Sequence, residues 1–139
     1  MSFVLKNPNP HNLNVGDCAI RAISIALDKP WNDVYAEVSM KGLLLSDMPS
    51  SNRVWGDYLE EQGFKLHIIP DSCPDCYSVK DFTNDYPRGT YVLGTGSHVV
   101  AVINGSYFDT WDSGNETVKY YWQKGEKKDV QLSDDEQRD

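Results

Sequence analysis

With 139 residues, 40% of them hydrophobic, the chain is long enough for one core and too short for two. Its net charge of −8 counts against binding a phosphate backbone, which relies on Lys and Arg, so no nucleic-acid partner is expected. No apolar run approaches the roughly 20 residues of a membrane span, and MSFVLKNPNPHNLNVGD carries no secretory pattern, so the expectation is a cytoplasmic protein without a membrane partner.

Asn7 to Asn14 is rich in Asn and Pro and is expected to be irregular. In GDCAIRAISIALDKP, Ile20, Ile23 and Leu27 fall at helical spacing, with Ala19, Ala22 and Ala26 beside them. Asp17 reads as the N-cap and Pro30 ends the run, which places Cys18 in the first turn of a buried helix. Arg21 points off the apolar stripe and is expected to pair with an acidic neighbour, with no catalytic role. A second helix is expected over Trp31 to Val38, where Trp31, Val34, Tyr35 and Val38 form a stripe. A third runs from about Asn52 to Gln62, with Trp55 and Leu59 inward and Gly63 just past its end.

The period then changes. FKLHIIP reads as a strand, CPDC as a loop, and SVKDFTNDYP holds one short helix. TYVLGTG, HVVAVI and SYFDTW are strand-like, and Asn104-Gly105 joins the last two as a two-residue hairpin turn. KYYW adds a further strand. The expected fold is a single α+β domain over residues 1–124, with N-terminal helices packed on a small antiparallel β-sheet. Residues 125–139 read as a solvated acidic tail.

A thiol attacks as its thiolate, and a helix N-terminus stabilises that anion with unpaired N–H groups and the positive end of the helix dipole. Cys18 stands where both act; the competing reading is an inert buried cysteine. His98 heads an otherwise apolar strand and needs a polar partner. In a two-residue turn Ile103 faces Ser106, Val102 faces Tyr107 and Val100 faces Asp109, which puts Asp109 diagonal to His98 on one face. A one-residue bulge would exchange Asp109 for Asp112, the alternative third member. Cys18 is then the nucleophile, His98 the base and Asp109 the group that fixes the imidazole. The Cys18 N–H forms half of an oxyanion hole, and a side-chain amide upstream completes it: Asn12 first, with Asn14, Asn9 and Asn7 as options.

GDCAIRA, PRGTYVLGTGSHVVAVINGSYFDTWDSG and the order Cys, His, Asp resemble the papain-like cysteine peptidase superfamily, in particular small members from bacterial viruses and prophages. The resemblance spans roughly residues 7 to 122. It implies a papain-like fold and a cysteine peptidase or related acyl-transfer hydrolase with a peptide or protein substrate, working in the host cytoplasm if viral. FDTWDSG is similar to the family's Asn-x-Trp pattern, which implies Asp109 in the third role and Trp111 as a cover over the His–Asp bond. Two departures stand out. The family's oxyanion amide is usually Gln, and here only Asn is present upstream; the family's His and Asn are usually farther apart in sequence. The first departure keeps open a catalytically weak or inactive papain-like binding module, for example a viral protein that engages a host factor.

Cys73-Pro-Asp-Cys76 is half a zinc knuckle by spacing, with His67 the nearest addition. That falls short of the four ligands a closed zinc site needs, so the expectation is a plain loop turn, no metal and no cofactor. A redox CxxC would call for a strand-turn-helix setting that the pattern lacks. An odd cysteine count without a signal peptide argues against a disulfide framework. His67 is expected to be a strand residue with a local hydrogen bond, and His11 a loop residue able to line the cleft. Trp31, Trp55 and Trp122 are assigned to the core or its edge.

Overall fold

A computed structural model describes residues 2–125. Six strands and four helices follow in the order β1 (Ser2–Leu5), α1 (Cys18–Leu27), α2 (Trp31–Leu45), α3 (Asn52–Glu61), β2 (Phe64–Ile68), α4 (Val79–Asp85), β3 (Thr90–Gly94), β4 (Val99–Ile103), β5 (Ser106–Asp109) and β6 (Tyr120–Lys124). The domain is α+β, as expected. The acidic tail lies outside the described residues except for Gly125.

The strands form one sheet in the order β1-β5-β4-β3-β6-β2. The sheet is mixed, which corrects the expectation of an antiparallel one: β1 runs parallel to β5, pairing Leu5 with Asp109. Strand β1 was not foreseen, because four residues next to an Asn/Pro-rich loop carry too little periodicity to separate strand from coil. The Asn104-Gly105 turn forms with both residues at positive φ, 49° and 80°, as a type I′ hairpin demands. It sets the register Ile103–Ser106, Val102–Tyr107 and Ala101–Phe108. The β4–β5 ladder ends there; the next residue of consequence, Asp109, is held by β1, with the Lys6 N–H donating to its carbonyl at 2.9 Å.

Both faces of the sheet are covered. Helices α1, α2 and α3 bury Ile23, Val38, Trp55 and Leu59 against Val92, Val99, Ala101 and Trp122. On the opposite face α4 packs Val79 and Phe82 on Tyr91, Leu93, Val100, Val102 and Tyr107. This two-sided burial explains why HVVAVI is apolar at every strand position rather than alternating. The α4 layer is aromatic: Phe82 stacks on Tyr86 at 4.2 Å and meets Tyr91 and Tyr121 edge-on. Its helix opens on a capping box in which Ser78 and Asp81 exchange hydrogen bonds.

Helix α2 runs seven residues past its expected end at Val38. Only Val34, Val38 and Gly42 of it are buried, while Met40, Leu43 and Leu44 face outward, so the second half shows no inward apolar stripe to read. The CPDC segment closes on itself: Cys73 and Cys76 form a disulfide, which corrects the plain-loop expectation. The turn brings their Cα atoms to 4.1 Å, close enough for a bond that needs no wider framework. No group of three or more His, Cys, Asp or Glu side chains is arranged to hold a metal ion among the described residues. His67 does not make the hydrogen bond expected of it; its ring stacks on Tyr121 at 4.7 Å and its buried Nε2 has no partner among the described residues. No helix among the described residues is long and apolar enough to cross a membrane.

Candidate active site

Cys18 is the first residue of α1, and the first intrahelical bond is donated by the Arg21 N–H to the Asp17 carbonyl. The N–H groups of Cys18, Ala19 and Ile20 therefore precede the helical ladder. Asp17 was expected to cap them with its side chain, and it does not. Its carboxylate is drawn elsewhere: Arg21 Nη1 donates to Oδ1 and the Trp31 indole N–H donates to Oδ2 at 2.9 Å.

His98 sits one residue before β4, on the turn that links it to β3. The Thr95 N–H donates to the His98 carbonyl at 2.9 Å and closes that turn. His98 Nε2 is 2.6 Å from Asp109 Oδ2, so the expected His–Asp pair is formed. With Nε2 engaged by Asp109, Nδ1 is the ring nitrogen left free, and Cys18 and His98 line the same clefts. Trp111 lies against the imidazole, ring centres 5.0 Å apart. Asp112, the alternative, does not bond His98: it accepts from the Tyr107 hydroxyl at 2.5 Å and from the Gly114 N–H at 3.0 Å.

Asp109 is 3% exposed, and its carboxylate is fully engaged. Ser113 Oγ donates to Oδ2 at 2.6 Å, the Thr110 N–H donates to Oδ1 at 2.8 Å, and Arg21 Nη2 lies 3.6 Å from Oδ1. Ser113 and Arg21 were not foreseen in the site. Ser113 follows Asp109 by one short turn within DTWDSG, and Asp17 and Arg21 stand at the i, i+4 spacing of a helical ion pair; both signals were present in the sequence.

The electrostatics favour separated charge. Burial pushes the Cys18 thiol up, but its bond with His98, the charge of His98, the Val99 N–H and the Arg21 charge together bring it below its ordinary value. Burial depresses the His98 imidazole, and its bonds to Asp109 and then to Cys18 outweigh this and raise it to about 9. Burial raises the Asp109 carboxyl, and its bonds from His98 and Ser113 hold it low. A thiolate beside an imidazolium is the arrangement these shifts describe.

Two clefts meet at Cys18 and His98. One, of about 590 Å³, is mainly apolar and includes Val15, Trp31, Tyr35, Pro49, Trp55 and Tyr120 in its wall. Trp31 and Tyr35 stack there at 5.0 Å. The other, of about 600 Å³, is more polar than the first and is lined by Lys6, Asn7, Asn12, Asn14, Arg21 and Trp111 among others. Asn12 thus shares a cleft wall with the thiol. Its Oδ1 accepts from the Asn7 amide at 3.2 Å. Asn9 is turned into its own loop, where Oδ1 accepts from the His11 and Leu13 N–H groups. His11 is exposed and lines neither cleft.

No known protein family, curated protein or solved structure matches the chain.

Proposed function

We propose that the protein is a papain-like cysteine hydrolase that cleaves or transfers the acyl group of a peptide, isopeptide or amide bond through a thioester on Cys18. The observation that carries this reading is the His98 Nε2–Asp109 Oδ2 pair at 2.6 Å sharing two cleft walls with a free thiol at an uncapped helix N-terminus. An inert structural cysteine has no need of an oriented imidazole or of a carboxylate held by three further groups.

The Cys18 thiolate attacks the substrate carbonyl carbon. The carbonyl oxygen takes the negative charge and is met by the Cys18 N–H and the Asn12 side-chain amide. As the tetrahedral intermediate collapses, the C–N bond breaks and the leaving amine takes the proton from His98. Water then attacks the thioester; His98 removes one of its protons, the C–S bond breaks, and the carboxylic acid leaves and gives its proton to solvent, with Cys18 and His98 restored to the ion pair. Asp109 stays ionised throughout and holds the ring. Trp111 shields the His98–Asp109 bond from water, which strengthens it.

The test is the reactivity of Cys18 toward iodoacetamide near neutral pH, followed by mass spectrometry. With Cys73 and Cys76 joined, Cys18 is the free thiol among the chain's three cysteines. Alkylation well above the rate of an ordinary exposed cysteine, lost in His98→Ala, is the expected result. A rate no faster than an ordinary thiol, with His98→Ala unchanged, would leave the chain as a binding module that keeps the arrangement without the activity.

A further inference from the structure

Arg21 lies three residues after Cys18, on the next turn of α1 and on the same side. It is 6% exposed, an unusual place for a guanidinium unless its charge is matched. One arm donates to Asp17 Oδ1 and another lies 3.6 Å from Asp109 Oδ1. Asp17 is anchored in turn by Trp31, a wall residue of the apolar cleft. Alternating charge therefore runs Asp17, Arg21, Asp109, His98, Cys18. Without Arg21, two buried carboxylates and a thiolate would face a single imidazolium.

We infer that Arg21 is a positioning residue for the acyl transfer: it bridges Asp17 and Asp109, turns Asp109 Oδ2 toward His98, and balances the buried carboxylates so that Cys18 stays ionised. This rests on the hydrolase reading above. Arg21 does not touch the reacting carbonyl; it acts through Asp109 and through its field. The geometry suits Arg in particular, because a planar fork reaches two carboxylates at once where an ammonium presents a single point charge. The groups that face the thiol and imidazole are Arg21 from α1, Asp109 from β5 and Tyr120 from β6; Asp17, from the loop before α1, lines the apolar cleft with them, and Lys6 lines the more polar one.

The experiment is the pH profile of Cys18 alkylation by iodoacetamide in the whole chain, wild type against Arg21→Gln and Asp17→Asn, each checked for folding by circular dichroism. Arg21→Gln removes a cation and is expected to move the acidic limb up by about one pH unit, the low end of a neighbouring charge's effect. At a fixed pH on that limb alkylation then slows about tenfold. Asp17→Asn removes an anion and moves the limb the other way. A merely structural ion pair would leave both limbs in place, and that result overturns the inference, as does a shift in the same direction for both. If Arg21→Gln does not fold, the direction of the Asp17→Asn shift decides alone. A wild-type thiol of ordinary reactivity defeats the hydrolase reading and this inference with it; a fast wild type with unmoved variants defeats this inference only.

Discussion

Replacing Asp109 by Asn changes one atom and removes the charge that His98 leans on. In the wild type, burial works against the imidazolium, yet the Asp109 bond and then the Cys18 bond hold His98 at about 9 against an ordinary 6.5. Asp109 is the larger of those two supports. Asp109→Asn is therefore expected to lower the His98 midpoint by more than about one pH unit, cutting the imidazolium-to-imidazole ratio over tenfold in the alkaline range. Proton NMR titration of the imidazole ring signals reads this directly, because the chain has only three histidines, His11, His67 and His98. The sign for stability follows from linkage. A histidine raised in the folded state contributes stability that is fully present below 6.5 and is lost as pH rises through about 9. The wild type should therefore lose stability across that window, and Asp109→Asn should lose less of it. A wild-type His98 that titrates near 6.5, or one that Asp109→Asn leaves in place, would refute the electrostatic reasoning.

The acid side gives the complementary outcome. The Asp109 carboxyl is held below its ordinary 3.8, so its contribution is present above 3.8 and is lost as pH falls through its lower folded value; the stability gap between wild type and Asp109→Asn in urea should narrow over that fall, and a gap independent of pH would count against it. On the opposite layer, Phe82 is fully buried among Tyr86, Tyr91 and Tyr121, so Phe82→Ala should cost about 3–5 kcal/mol in denaturant unfolding. Below its unfolding transition that variant should keep the wild-type rate of Cys18 alkylation, because Phe82 packs on the sheet face away from α1.

What could be read in the sequence was what local chemistry dictates. The Ile/Ala spacing after Cys18 specified α1, and Asn104-Gly105 specified a hairpin whose register brings Asp109 toward His98. The expected opposition of Val100 and Asp109, however, is not a rung of the ladder; Asp109 has left β4 for β1, and it meets His98 as a side chain reaching across the end of the sheet. Partners far away in sequence were the hidden part. Strand β1 is defined by pairing with residues more than a hundred positions later, and no local pattern announces such a contact. The Cys73–Cys76 bond was missed for a different reason: compartment and cysteine count weigh on disulfide frameworks, whereas a four-residue loop closes by its own geometry.

Asp17 is the residue whose correction matters most for chemistry. An Asp before a helix is ordinarily a cap, and a carboxylate bonded to the first-turn N–H groups would set a negative charge beside the Cys18 sulfur and occupy donors that an oxyanion needs. Here Arg21 and the Trp31 indole take both carboxylate oxygens, so the helix start keeps its N–H groups and its positive end. The same Arg21 then meets Asp109, which holds the His98 imidazole. The uncapped helix and the oriented imidazole thus have a common origin in one buried guanidinium: the side chain that draws Asp17 off the helix end also secures the carboxylate that raises His98.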